Sequence, residues 1–189
     1  MPKAVSYFSP RELLLNALSR ASKDGEYAEF GVYRGASLNV IARFVEDKTV
    51  WGFDSFEGLP NDWLLPKGSF SLGGKLPKVR KNVKLVKGLF SQTASAWFNS
   101  VDKISFLHID GDLFESTNDV LEAFINSRSF RPSVESPEGV VIVFDDYFNQ
   151  PFWQNDSHQA FLDFLKRAEH LRVSYIGYAS KEISVRISL

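Results

Sequence analysis

The chain has 189 residues, 44% of them hydrophobic and 24% charged, with a formal net charge of −1. This length predicts one globular domain, and the nearly balanced charge argues against a partner that is nucleic acid or an anionic membrane. The sequence contains no cysteine, which excludes disulfides, thiolate catalysis and zinc–thiolate sites. Since it shows no signal-peptide pattern and no apolar run of membrane-spanning length, we expect a soluble, cytoplasmic protein.

The N-terminal part predicts a helix, a strand, a glycine-rich turn and a second helix. Residues 9–12, Ser-Pro-Arg-Glu, have the composition of a capped helix start, and residues 27–45 then read as strand, turn and helix. Gly31 and Gly35 in the turn allow the backbone to approach a ligand closely. The carboxylate of Glu29 suits a cationic or hydroxyl-rich ligand better than a phosphate. An ordinary strand-to-helix turn accounts for the same residues.

Residues 56–79 interrupt the alternation of strands and helices. Three prolines and four glycines break any long helix there, yet the segment also carries Trp63, Leu64 and Phe70, which are too apolar for an idle linker. Because a long loop inside a compact domain usually has a function, we predict a lid over a ligand site. A surface excursion anchored by Trp63 is the alternative.

Apolar runs alternate with helical patterns through the rest of the chain. We predict strands at about 27–31, 49–54, 83–86, 104–110 and 139–145, and an antiparallel hairpin of 173–178 and 183–187 on one sheet edge. Helical patterns cover 37–45, 94–98, 120–125 and 157–168, whereas the polar stretch 126–138 is predicted to be a connection. This order predicts an α/β fold with a mostly parallel sheet and helices on both faces.

Carboxylates terminate four of the five parallel-type strands. They are Glu29, Asp54, Asp110 and Asp145, with Asp112 and Asp146 close behind. Each one alone is often a solvated cap, but the carboxyl ends of parallel strands meet at one edge, so we expect all four around one crevice. Asp54 follows Glu29 at a spacing that places an acid on ribose hydroxyls in Rossmann-like folds.

Three of these acids form an all-oxygen set. Asp110, Asp145 and Asp146 suit magnesium or another hard divalent ion rather than zinc or copper. A divalent cation would also remove the repulsion between the carboxylates. His108 shares a strand face with Asp110 and is either a general base or a hydrogen-bonded core histidine.

Five motifs in this order resemble the macrocin O-methyltransferase family. They are Glu29-Phe-Gly-Val-Tyr-Arg-Gly-Ala-Ser37, Gly52-Phe-Asp-Ser-Phe-Glu-Gly-Leu-Pro60, Gly73-Gly-Lys-Leu-Pro77, His108-Ile-Asp-Gly-Asp-Leu-Phe-Glu-Ser-Thr117 and Val143-Phe-Asp-Asp-Tyr147. The resemblance implies an S-adenosylmethionine-dependent enzyme that methylates a hydroxyl of a sugar or other small molecule. It also implies the class I methyltransferase fold, a Rossmann-like, seven-stranded, mostly parallel sheet with its last strand antiparallel, as a single domain over residues 1–189.

The resemblance also implies a role for each matching residue. Glu29, Gly31 and Gly35 would form the cofactor turn, Tyr33, Arg34 and Ser37 would lie near the methionine part, Asp54 and Ser55 on the ribose, and Gly88 to Phe90 against adenine. Asp110, Asp145 and Asp146 would hold Mg²⁺, a Lewis acid and template for the acceptor, and Asp110 would be the catalytic general base. The similar catechol enzymes carry a lysine where this chain has Leu113, which favours a sugar over a phenol.

Two other readings stay open at this point. Asp110-Gly-Asp112 with Asp145-Asp146 resembles the paired aspartates of haloacid-dehalogenase-type phosphohydrolases, and a non-catalytic cofactor-binding protein would also use a glycine-rich turn. A nicotinamide dehydrogenase is disfavoured because the G-x-G-x-x-G spacing is absent. If the apolar first helix were exposed, a homodimer would be expected.

Overall fold

The computed structural model describes residues 4–189, so residues 1–3 of the predicted domain lie outside the described part. These residues form eight strands and six α-helices. In chain order they are β1 (Val5–Ser6), α1 (Pro10–Ser19), β2 (Glu26–Phe30), α2 (Ala36–Phe44), β3 (Val50–Asp54), β4 (Val83–Lys87), α3 (Phe90–Ser100), β5 (Ile104–Ile109), α4 (Phe114–Ile125), α5 (Phe130–Val134), β6 (Val140–Phe144), a 3₁₀ turn (Trp153–Asn155), α6 (Ser157–Arg167), β7 (Arg172–Ala179) and β8 (Glu182–Ser188).

All eight strands belong to one sheet with the order β1-β7-β8-β6-β5-β2-β3-β4. Strands β2 to β6 pair in parallel, and the last strand, β8, runs antiparallel between β6 and β7, as expected. The sheet has one strand more than the expected seven because the two residues of β1 pair with β7 beyond the predicted hairpin. A strand of two residues is too short to produce a recognisable pattern in the sequence.

The helices differ from the prediction in three places. The first helix begins as expected, with the Ser9 hydroxyl oxygen accepting the Glu12 N–H at 3.3 Å. Helix α3 starts four residues earlier than predicted and α4 six residues earlier, and residues 126–138 contain α5, which we did not predict. The ends of α5, Phe130 and Val134, are buried, so tertiary packing rather than local periodicity stabilises this turn of helix.

Helices cover both faces of the sheet, as predicted. One face packs against α3, α4 and α6 through a large aromatic cluster, and the other packs against α1 and α2. Phe30 lies at the centre of the aromatic side, stacked on Phe53 at 4.5 Å and on Phe98 at 5.8 Å between ring centroids. This double packing fixes the carboxyl ends of β2, β3, β5 and β6 on one rigid edge.

The apolar face of α1 is covered within the chain. Leu13, Leu14 and Leu18 are all 5% exposed or less. The first helix therefore has no exposed apolar face that would favour a homodimer, and the dimer stays an untested prediction. In residues 4–189, no helix has both the length and the apolar composition needed to cross a membrane.

Candidate active site

The glycine-rich turn after β2 is shaped by the neighbouring strand ends. Gly31 has a φ of +99°, and a Cβ atom there would lie 1.8 Å from the backbone oxygen of Asp110. Its N–H donates to the Phe53 oxygen at 2.9 Å, and the Asp110 N–H donates to the Phe30 oxygen at 2.7 Å. Glycine is thus required at position 31 because the turn touches the residue that follows β5, whether or not a ligand also approaches the turn.

Asp54 connects this turn to the end of β3. One carboxylate oxygen accepts the N–H groups of Val32 at 2.9 Å and Tyr33 at 2.7 Å, and the other accepts the Phe56 N–H at 2.7 Å. Hydrogen bonds to a carboxylate are stronger than neutral ones, so Asp54 holds the turn in its conformation. The same carboxylate lines the cavity described next.

A cavity of about 430 Å³ opens along the carboxyl edge of the sheet. Of the predicted site residues, it is lined by Gly31, Tyr33, Asp54, Ser55, Gly88, Phe90, Asp110, Asp145 and Asp146. The cavity therefore joins the glycine-rich turn to acids at the ends of three strands, β3, β5 and β6, whereas the fourth acid expected there, Glu29 of β2, does not line it. Glu29, Arg34, Gly35 and Ser37 do not line this cavity, so a contact between these four residues and a cofactor stays a prediction.

Further lining residues were not predicted. They come from the 56–79 segment (Leu59, Pro60, Asn61 and Phe70), from α4 (Glu115, Ser116 and Asp119) and from the β7–β8 turn (Lys181). The predicted lid at residues 56–79 implied a contact with the ligand site, and Phe70 was among the apolar residues on which that prediction was based. Helix α4 gave no sequence signal, because its outward polar residues resemble those of any solvated helix face.

Residues 56–79 fold back on themselves over the cavity. Leu59 and Ser69 are joined by a backbone hydrogen bond of 2.9 Å, and the Trp63 indole N–H donates to the Asp156 carboxylate at 2.9 Å. Phe70 meets the Tyr33 ring edge-on at 5.5 Å between centroids. The segment, which we call the lid segment, is thus attached to the turn at one place and to the N-terminus of α6 at another.

Three carboxylates converge in the same cavity. Asp110, Asp112 and Asp146 each offer an oxygen within 4.8 Å of the others, and we call them the acid cluster. Asp146 is 1% exposed, and its Oδ2 has no hydrogen-bond partner among the described residues. Burial and the charge of Asp145 raise the pKa of Asp110 well above its usual range, and burial with Asp146 raises that of Asp112 to about 8.

This donor set fits a hard divalent cation. An unpartnered buried oxygen and mutually repelling carboxylates are both relieved by a bound ion with oxygen ligands. The acid cluster shares two residues with the predicted ligand set, and Asp112 stands where Asp145 was expected. Asp145 lines the same cavity next to Asp146.

Lys181 approaches these acids from the β7–β8 turn. Its ammonium group pairs with Oδ1 of Asp146 and lies 3.4 Å from Oδ2 of Asp145. Strands β6 and β8 pair Phe144 with Ile183, so continuing the antiparallel register places residue 181 opposite residue 146. Burial alone would lower the pKa of Lys181, but the bond to Asp146 and the charge of Asp145 outweigh it and raise the pKa.

Glu29 and His108 form a buried pair behind the cavity. They are register partners on β2 and β5, and His108 Nδ1 lies 2.7 Å from Glu29 Oε1. Burial alone would lower the pKa of His108, but Glu29 and the charges of Asp145 and Glu182 raise it overall. The structure favours the interpretation of His108 as a hydrogen-bonded core residue, since both side chains are almost fully buried.

Comparison with known proteins matches the sequence of this chain to one family. The profile of the macrocin-O-methyltransferase (TylF) family matches residues 75–170. Demethyldecarbamoylnovobiocin O-methyltransferase from Streptomyces niveus is 32% identical over 150 residues, covering 67% of this chain and 54% of the relative. A tetracenomycin 4′-O-methyltransferase from Streptomyces olivaceus is 32% identical over 146 residues, with 65% of this chain and 53% of the relative covered.

The fold is also that of a solved methyltransferase. The structure of the O-methyltransferase NovP superposes with a TM-score of 0.69 at 20% sequence identity, covering 95% of this chain and 79% of that one. The class I methyltransferase fold is thereby confirmed. The chain spans about half the length of the curated relatives it matches. On the profile match, which covers just over half of its residues, the chain belongs to the macrocin-O-methyltransferase (TylF) family.

Proposed function

We propose that this chain is an S-adenosylmethionine-dependent O-methyltransferase that acts on a hydroxyl of a sugar or another small molecule. The observation that carries the proposal is the single cavity that joins the glycine-rich turn and Asp54 to the acid cluster. A methyl transferase needs its donor and its acceptor next to each other, and one continuous cavity meets that need.

The cofactor would occupy the half of the cavity beside the turn. Asp54 and Ser55 would accept or donate hydrogen bonds at the ribose hydroxyls, and Gly88, Leu89 and Phe90 offer an apolar wall for the adenine ring. Tyr33 would lie along the methionine part. S-adenosylmethionine, once bound there, supplies the electrophilic methyl group of its sulfonium.

The acceptor would occupy the half beside the acid cluster and under the lid segment. Asp110, Asp145 and Asp146, with Asp112 next to them, would hold a magnesium ion, which acts as a Lewis acid toward the acceptor. Asp110 is our candidate for the general base, taking the hydroxyl proton at a carboxylate oxygen. Leu59, Pro60 and Phe70 would exclude water from the site.

The name of one relative supports a sugar as the acceptor. The Streptomyces olivaceus protein is named as a 4′-O-methyltransferase of a 2,3-dimethoxy-rhamnosyl tetracenomycin. Leu113, at the position of the catechol-enzyme lysine, also favours a sugar over a phenol. We therefore place a natural-product glycoside first among acceptor classes.

Ligand binding separates this proposal from the two other readings. Isothermal titration with S-adenosylhomocysteine should show binding, and inorganic phosphate or tungstate should show none. Transfer of a labelled methyl group from S-adenosylmethionine to a panel of glycosides should then require Mg²⁺. Binding of phosphate analogues alone would favour the phosphohydrolase, and cofactor binding without transfer to any acceptor would favour a non-catalytic protein.

A further inference from the structure

The charge balance of the cavity depends on one residue. The lining includes seven carboxylate residues, whereas Lys181 is the single lysine or arginine among the described residues that line it. Asp146 and Asp145, the two acids that Lys181 contacts, belong to the proposed metal-binding set. An ammonium group therefore lies against two carboxylates that a divalent ion would also bind, with Oδ1 of Asp146 paired to Lys181 and Oδ2 of Asp146 left without a partner among the described residues.

The backbone fixes Lys181 in this place. The N–H groups of Tyr147 and Phe148 both donate to the Lys181 carbonyl oxygen, at 2.9 and 3.2 Å. The amide of Asn149 donates to the Ser180 oxygen at 2.9 Å, which binds the two-residue turn to the loop after β6. The Cα of residue 181 is thus held beside Asp145 and Asp146 whatever side chain it carries.

The Lys181 side chain can leave the carboxylates without a change in the backbone. Its exposed fraction is 41%, against 1% for Asp146, so the ammonium group can move into solvent without moving the backbone. A divalent cation on the same carboxylates would repel a positive charge a few ångströms away. The ammonium and a divalent ion would consequently disfavour each other at the Asp146 carboxylate, even though they can use different oxygens.

We propose that Lys181 is the internal counter-ion of the metal-free site and competes with the divalent cation for Asp145 and Asp146. This inference rests on the proposed metal-dependent function. Metal loading is then an exchange, in which the ammonium leaves the carboxylates as the ion enters. A lysine that only oriented the two carboxylates for the ion would have the opposite effect on affinity, because its removal would weaken metal binding.

Mn²⁺ titration followed by electron paramagnetic resonance tests the competition without cofactor or acceptor. We expect Lys181→Met and Lys181→Gln to bind Mn²⁺ about tenfold more tightly than the unchanged protein, since a competing ion pair is removed. Lys181→Arg keeps the charge and should bind like the unchanged protein. The matched control is Lys166→Met, which removes a lysine paired with Asp163 at 2.8 Å on α6, outside the cavity.

A second measurement uses the metal-free protein. Lys181→Met should lower its melting temperature by about 3 °C or more, because the carboxylates lose their counter-ion, and Mn²⁺ should restore it. Equal or weaker Mn²⁺ binding by the methionine and glutamine variants would overturn the competition while leaving the metal site in place. If neither the variants nor the unchanged protein bound Mn²⁺, both the proposed metal site and the competition would be ruled out.

Discussion

At the scale of single residues, the acids that line the cavity fall into two groups with different hydrogen-bonding environments. Asp54 accepts three backbone N–H groups and faces the turn, whereas Asp110, Asp112 and Asp146 face one another. In the first arrangement hydrogen-bond donors stabilise a carboxylate, and in the second the carboxylates repel one another, which a cation would relieve. The residues of the two groups can therefore be tested separately.

Asp54→Ala should weaken S-adenosylhomocysteine binding by about tenfold to a hundredfold, because the proposed acceptor for the ribose and the anchor of the turn are both lost. Asp145→Ala is the matched control, as it removes another carboxylate that lines the same cavity. It should keep cofactor binding and mainly lower turnover and the response to Mg²⁺. Calorimetry of both variants checks this division, which would be wrong if Asp145→Ala abolished cofactor binding and left the metal response intact.

The pairing of Glu29 with His108 shows how a residue-scale prediction is changed by the fold. From the sequence, Glu29 belonged to the cofactor turn because it precedes Gly31 by two residues. In the structure its side chain points away from the cavity and meets a histidine 79 positions later in the chain. The direction of a side chain at a strand end depends on the pleat, and the exact residue at which the strand ends was not predictable.

At the scale of elements, the glycine-rich turn and the lid segment determine the shape of the cavity. Both are irregular in backbone, and both are anchored to regular elements by specific bonds. The turn is confined by β3 and β5, and the lid segment is attached through Trp63 and Phe70. Their stability therefore depends on a few identifiable contacts.

Gly31→Ala should destabilise the protein by about 3 kcal/mol or more, because a methyl group would strike the Asp110 backbone in a conformation already costly for alanine. Gly73→Ala is the control. It also has a positive φ, of +60°, but a Cβ there meets nothing within 4 Å, so we expect a loss of only about 1 kcal/mol. Urea unfolding measures both, and equal losses would show that the contact with Asp110 is unimportant.

Trp63→Phe should loosen the lid segment, because the bond from its indole N–H to Asp156 is the side-chain hydrogen bond that joins it to α6. Hydrogen–deuterium exchange should become faster in residues 56–79 and stay unchanged in β5. Asp156→Ala should have the same effect, and the double variant should add nothing to either. Additive effects would mean that the two side chains act independently.

At the scale of the whole molecule, one sheet carries a hydrophobic layer on each of its two faces. The aromatic layer under α3, α4 and α6 and the aliphatic layer under α1 and α2 share the same strands. Phe98 and Leu38, one from each layer, are both completely buried. The edge that carries the site is rigid because it is packed from both sides.

Phe98→Ala should lower the free energy of unfolding by about 3 to 5 kcal/mol and Leu38→Ala by about 2 to 5 kcal/mol, as expected for cavities in a packed core. In both variants, circular dichroism and tryptophan fluorescence should still report one coincident transition. Separate transitions in either variant would show that the two layers unfold independently.

The sequence alone was sufficient for the alternation of strands and helices, the mostly parallel sheet and the carboxylates at its edge. Hydrophobic periodicity and residue chemistry are local properties, and the rule that parallel strands end at one edge needs no coordinates. The same reasoning placed Asp54, Asp110, Asp145 and Asp146 around one cavity.

Only the tertiary structure decided which of these side chains meet. The third member of the acid cluster, Asp112, the lysine opposite Asp146 and the histidine beside Glu29 all depend on strand order and register. Lys181 is 35 residues from Asp146, and nothing local marks it as a partner until β8 is known to lie antiparallel to β6. Contacts between distant segments are set by packing of the whole sheet, and one sequence does not display them.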